Sequence, residues 1–145
     1  MKLIFISIIF LLLNFGSDTN NKQQLLCHKW RQIGVKNYGK SYKAIDKSMS
    51  ELISFKLDGT FEKELYGRLH FKGRWLFSND SSKLAIGIYE MNGKILIGNE
   101  IPFHNKFAND SIIKLTKDTL IDGQLKYYGA EKRYGHDDVY YLREE

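Results

Sequence analysis

Leu69-His70-Phe71-Lys72-Gly73-Arg74-Trp75-Leu76-Phe77 decides the fold. Leu69, Phe71, Gly73, Trp75 and Phe77 alternate with His70, Lys72, Arg74 and Leu76, and this period of two gives one apolar face, as in a half-buried strand. After Asn79-Asp80-Ser81-Ser82, a run of turn-forming residues, Leu84, Ile86 and Ile88 repeat the pattern. Asn92-Gly93 then separates the run ending at Tyr89 from the one starting at Ile95. Asn-Gly suits the two-residue type I′ hairpin turn, whose central residues both need positive φ. That turn pairs Met91 with Lys94 and Ile88 with Ile97, which keeps Ile95 and Ile97 on the face of Ile86 and Ile88. The same register puts Glu90 on the Ile88 face, opposite Ile95.

Upstream, Phe55-Lys56-Leu57-Asp58-Gly59-Thr60-Phe61 offers two turns. A two-residue turn at Asp58-Gly59 would put Phe55 and Phe61 on opposite faces. A three-residue loop over 57–59, with Gly59 left-handed, pairs them on one face and is the expected form. Downstream, Ile113 and Leu115 lead through Lys117-Asp118 to Leu120, and Leu125 and Tyr127 lead to a last run around Val139 and Tyr141. Strands are expected near 26–34, 50–57, 60–66, 69–78, 83–90, 94–100, 110–116, 119–128 and 137–143. No helical spacer of the length a parallel crossover requires lies between them, so the fold class is all-β, an antiparallel up-and-down meander of eight or nine strands. Closure into a barrel removes its edges. Ser17 or Asp18 is placed to cap a short helical turn running to Leu26 and covering one end.

The chain has 145 residues, 43% hydrophobic and 14% aromatic, with one Pro and one Cys. That is a single domain, neither collagen-like nor a disordered polyelectrolyte. Cys27 alone cannot form an internal disulfide or a cysteine-based zinc site, and is expected to be a small buried hydrophobe in the first strand.

Lys2, the apolar run Leu3 to Leu13 broken by Ser7 alone, and Asn14-Phe15-Gly16-Ser17 have the order of a secretory signal peptide. The run is shorter than the roughly 20 apolar residues of a membrane span. Residues 1–17 are therefore read as a leader and 18–145 as the domain, exported to the periplasm or the cell exterior, with tethering by an uncleaved leader the less favoured outcome. Between residues 29 and 47, Lys29, Arg31, Lys36, Lys40, Lys43 and Lys47 face a single acid, Asp46. On an exported chain such a segment fits an anionic small molecule, lipid head group or surface polyanion better than nucleic acid.

Leu25-Leu26-Cys27-His28-Lys29-Trp30, then Phe55 to Phe61, then Gly73-Arg74-Trp75 with its turn and Leu84 to Ile88, then Ile112 to Leu120, resemble in their order the small bacterial secreted lipocalin-like proteins. His28 stands where that family usually has Gly. The resemblance implies a calycin-type barrel closed at one end and open at the other, holding a small apolar or amphiphilic molecule. It also implies that Trp30 packs at the closed end with Arg143 or Arg133, and that the loop after the first strand, here Gly34 to Ser48, overhangs the mouth. The expected ligand site is accordingly Lys36, Tyr38, Lys40, Tyr42 and Lys43 around an anionic head, with Phe55, Phe61, Phe71, Trp75, Ile88 and Tyr127 along the interior. Inward aromatics that simply fill the ring are the alternative.

Catalysis has little support in the sequence. His28, His70, His104 and His136 are far apart and none has a ligand partner at metal-binding spacing. His136-Asp137-Asp138 reads as a solvated turn. There is no nucleophile elbow and no phosphate-cradling glycine loop. Glu62, Glu64 and Glu90 are the carboxylates expected on strands. A non-enzymatic binding protein without cofactor or metal is the expectation. The second reading is a filled-barrel adhesion, inhibitor or assembly module whose protein partner meets Tyr127, Tyr128, Tyr134, Tyr140 or Tyr141 and the basic residues among them.

Overall fold

The computed structural model describes residues 20–96, 108–128 and 133–145, together with the side chains of all these except 108, 109, 125–128 and 133–135. Among the described residues there is a helical segment over 20–26 and ten strands. These are β1 (Lys29–Lys36), β2 (Tyr42–Ala44), β3 (Glu51–Phe55), β4 (Thr60–Leu65), β5 (Leu69–Phe77), β6 (Lys83–Met91), β7 (Lys94–Ile95), β8 (Ala108–Leu115), β9 (Thr119–Tyr128) and β10 (Arg133–Glu144). Every pairing is antiparallel. The order β1-β3-β4-β5-β6-β8-β9-β10 returns to β1, where Trp30 lies opposite Arg143 and Val35 opposite Val139. The strands thus form a ring in sequence order, with β2 and β7 as short side strands on β1 and β6.

The alternation read from Leu69 to Phe77 is the alternation of burial. Gly73 and Trp75 are buried and Phe71 and Phe77 half-buried, while His70, Lys72, Arg74 and Leu76 face solvent. Phe55 pairs with Phe61, and Gly59 sits at φ 80°, as a three-residue loop requires. Asn92 and Gly93 have φ 49° and 81°, and Met91 pairs with Lys94, the geometry of the I′ turn. Gly73 is needed for a second reason. A Cβ there would stand 2.3 Å from the Gly87 carbonyl oxygen and 2.4 Å from the Phe61 ring, so Phe61 can lie across the sheet only because Gly73 has no side chain.

One end of the ring is packed shut. The helical segment brings Leu26 onto Trp30, both with no exposed surface, and the Trp30 indole N–H donates to the Leu26 carbonyl at 2.8 Å. Around them are Phe55, Phe61, Trp75, Leu84 and Leu120, all buried. Phe55 and Trp75 meet edge-on at 5.8 Å, and Phe55 and Phe61 are tilted against each other at 6.1 Å. The turns β3–β4, β5–β6 and β8–β9 lie at this closed end, and the β1–β3 connection, the β4–β5 turn and the Asn92-Gly93 hairpin at the far end.

The structure corrects several sequence expectations. The first strand begins at Lys29 rather than near residue 26, because Leu26 must turn inward from the helix to cover Trp30. Cys27 therefore lies at the helix–strand bend, half-buried, where burial pushes its thiol up. Glu90 does not share the Ile88 face. Gly73 pairs with Ile88 but Lys72 with Glu90, so Tyr89 is an extra residue in a β-bulge, and the bulge turns Glu90 outward to an ion pair with Lys72 at 3.0 Å. A short strand, β2, interrupts the loop after β1, and β10 is longer than expected because it pairs with β9 along its length. The Ile88–Ile97 pairing, His104, Ser17 and Asp18 lie outside the described residues.

Candidate functional site

Halfway along the ring, the apolar faces become polar. On four strands an inward apolar residue is followed, two positions nearer the far end, by a polar or charged one. On β3 Ile53 is followed inward by Glu51, on β4 Phe61 by Lys63, on β8 Ile112 by Asp110, and on β9 Leu120 by Asp122 and Gln124. Tyr141 enters from β10 with 3% of its surface exposed. Glu51, Lys63, Asp110, Asp122, Gln124 and Tyr141 meet around a cavity of about 30 Å³, whose other walls are core residues such as Leu84 and Ile86.

Glu51 is fully engaged. Its Oε1 accepts the Tyr141 hydroxyl at 2.7 Å and its Oε2 is 2.6 Å from Lys63 Nζ. Its backbone N–H donates to Gln32 Oε1 at 3.2 Å. Burial, then the Glu51 charge, push the Tyr141 hydroxyl well above the usual phenol range. Asp122 is served less well. With 6% of its surface exposed it receives one long hydrogen bond, from Gln124 Nε2 to Oδ2 at 3.4 Å, and its Oδ1 is buried with no donor among the described residues. Its carboxyl also contacts that of Asp110, and a carboxyl–carboxyl hydrogen bond requires a proton on one of the two. Burial raises both carboxyls above the usual range, and at Asp122 the Asp110 charge adds to the effect. Lys63 is the one lysine or arginine lining the cavity; it pairs with Glu51, and its charge also bears on Asp110.

The residues expected from sequence to line the interior separate into groups. Phe55, Phe61 and Trp75 come together as the apolar core of the closed end. Phe71, half-buried opposite Lys63 and Met91, and Ile88, half-buried against the core cluster, lie nearer the far end. Tyr127 pairs with Tyr134, and its side chain lies outside the described set. Of the basic loop, Lys36, Lys40 and Lys43 are exposed, with Lys36 opposite Asp138 on β10 and Lys43 opposite Val35 on β1. The loop is tied to the ring by Asp137, 1% exposed, which accepts the Asn37 Nδ2 at 2.9 Å and the Tyr38 backbone N–H at 3.1 Å. Tyr42 does not join the lysines at the rim. Its ring lies on the outer face over Gly34 and meets Tyr140 edge-on at 5.2 Å, with its hydroxyl donating to the Ile33 carbonyl. Trp30 stands opposite Arg143 in the ladder, and Arg133 is at the other end of β10.

Outside the ring, the faces of β3, β4 and β5 form a groove of about 270 Å³ lined by Leu52, Ser54, Glu62, Glu64, His70 and Lys72 among others. Two of its acids are held in ion pairs, Glu62 with Lys56 beside the groove at 2.7 Å and Glu90 with Lys72 at 3.0 Å, as on a solvated sheet face. No group of three or more His, Cys, Asp or Glu side chains suited to a metal ion occurs among the described residues.

No protein-family model matches the chain, and no curated protein matches it. The inner polar cluster therefore has to be read from its chemistry.

Proposed function

We propose that this is an exported, non-enzymatic binding protein of lipocalin-like type, which takes a small amphiphilic ligand into the ring from the far end. The observation that carries the reading is the buried Asp122 Oδ1, an acceptor without a described donor beside a cavity, inside a ring whose opposite end is shut by Leu26, Trp30 and Phe61. An unsatisfied buried acceptor costs about 1–3 kcal/mol, which a ligand donor can recover. The basic rim at Lys36, Lys40 and Lys43 attracts and orients an anionic group, while apolar burial supplies about 0.8 kcal/mol per methylene. The test is titration of the protein with fatty acids, alkylamines and alkanols. Saturable binding of at least one class is expected, and replacement of Lys36, Lys40 and Lys43 together by Ser is expected to weaken fatty-acid binding and flatten its salt dependence. An unchanged salt slope in the triple variant would remove the rim from the site.

A filled ring working through its surface is the second reading. The small cavity favours it, as do the exposed Leu57, Leu76, Ile113 and Leu142, of which Leu57 is 71% exposed. A protein that co-purifies with the chain and is released by Leu57→Ser and Leu76→Ser would support it.

A further inference from the structure

We infer that the Asp110–Asp122 pair is a cation subsite which receives the ammonium group of an amine-bearing ligand. The inference rests on the binding reading above and names the inner end of its ligand. Three features lead to it. The first is charge. Glu51 is neutralised by Lys63 and further held by Tyr141, whereas the two aspartates share an interior with no second lysine or arginine lining the cavity. The second is hydrogen bonding. Asp122 is the one described side chain with a buried oxygen, Oδ1, lacking a donor, and besides the neighbouring Asp110 carboxyl its carboxyl has only the 3.4 Å bond from Gln124. The third is space. A cavity of about 30 Å³ exceeds the roughly 10–15 Å³ that one water needs, and an ammonium is of water's size while carrying three donors and a charge.

In the empty site a proton between the carboxyls keeps two negative charges from facing each other. A bound ammonium takes over that role, so ligand entry releases the shared proton. The charged and titratable groups facing the pair are Glu51 from β3, Lys63 from β4 and Tyr141 from β10, while β6 offers Leu84 and Ile86. With Glu51 already compensated, the Asp pair is the group whose charge state sets the pH dependence. Binding of an amine therefore strengthens as the solution goes from mildly acid to neutral.

The experiment compares n-alkylamines, alkanols of the same chain length and fatty acids, by calorimetric titration of the wild-type chain and of Asp122→Asn and Asp110→Asn, with circular dichroism as the check on folding. Asn keeps the size of the side chain and removes the charge, and either variant alone suffices if the other fails to fold. The amine is expected to bind about tenfold or more tighter than the matching alkanol, the usual advantage of a charge-assisted hydrogen bond, and to lose that advantage in both variants and at acid pH. Alkylamine affinity that is equal in wild type and variants, or equal to that of the alkanol, overturns the subsite and assigns the cavity an ordered water only. Fatty-acid or alkanol binding in that outcome leaves the binding reading standing. If nothing in the panel binds the wild type, the binding reading fails and takes the subsite with it.

Discussion

Tyr141 on β10 donates a 2.7 Å hydrogen bond to Glu51 on β3, reaching past β1, although 90 residues separate the two in sequence. Gln32 of β1 pairs with Tyr141 in the ladder and accepts the Glu51 backbone N–H, so three strands are tied together where the ring closes. Removing the hydroxyl leaves Glu51 Oε1 buried with one donor fewer. Tyr141→Phe is expected to cost about 1–3 kcal/mol in urea unfolding. A stability equal to that of wild type would mean the bond is replaced by water.

Phe61 has no exposed surface and packs between Phe55 and the Gly73 backbone. Phe61→Ala is expected to lose about 3–5 kcal/mol, the usual range for an aromatic deleted from a core. Gly73→Ala tests the same contact from the other side, since its new methyl meets a backbone oxygen that cannot swing away. A loss of about 1–3 kcal/mol or more is expected. Gly34→Ala is expected to cost less, because the group in its way is the exposed Tyr42 ring. An order of costs reversed between the two glycines would contradict the packing described.

The pH dependence of stability has two parts of opposite sign. Asp110 and Asp122 are raised above the usual carboxylate range by burial, so the folded chain holds a proton that the unfolded chain releases. Their contribution is complete below the usual carboxylate range and is lost as pH rises through the raised values. Glu62 and Glu144 are lowered, first by hydrogen bonds from Lys56 and Arg31, and their contribution is lost instead as pH falls through the lowered values. Asp122→Asn should therefore be more stable than wild type at neutral pH, with a flatter fall between mildly acid and neutral solution. Urea midpoints at a series of pH values provide the comparison, and an unchanged slope in the variant would place the linkage elsewhere.

Arg31 and Glu144 pair on the outer side of the β1–β10 seam, and Arg31 also donates to Ser50 Oγ at 3.2 Å. Side-chain exposures of 22% and 26% leave the pair partly screened by solvent. Glu144→Gln is expected to cost no more than about 1 kcal/mol at moderate salt. A much larger loss would make this pair, rather than the inner Glu51–Tyr141 bond, the main closure of the ring.

The strand pattern was legible because each strand carries its own alternation. Leu69 to Phe77 needs no knowledge of its neighbours, and Asn92-Gly93 or Leu57-Asp58-Gly59 sets a register within a few residues. The bulge at Tyr89 was not legible, since Met91 and Glu90 give no local sign that one residue drops out of the ladder. The inner polar cluster was half legible. Asp122 shares the face of Leu120, Glu51 that of Ile53 and Lys63 that of Phe61, so alternation already turns these residues inward. What sequence could not supply is their meeting, because it depends on the ring closing through β1, which pairs with both β3 and β10, and on β9 pairing with both β8 and β10. The basic rim shows the reverse case. Its lysines were visible as a charge run, but Tyr42 leaves them for the outer face over Gly34 through a strand pairing, β1 with β2, that no local signal announces.

Binding inside the ring is tested most directly by the intact mass, under native conditions, of the full-length chain expressed in a bacterial host and purified without detergent. A small-molecule adduct that disappears on denaturation and is reduced in Asp122→Asn is the expected result. A bare chain mass, unchanged after incubation with alkylamines, alkanols and fatty acids, would contradict it.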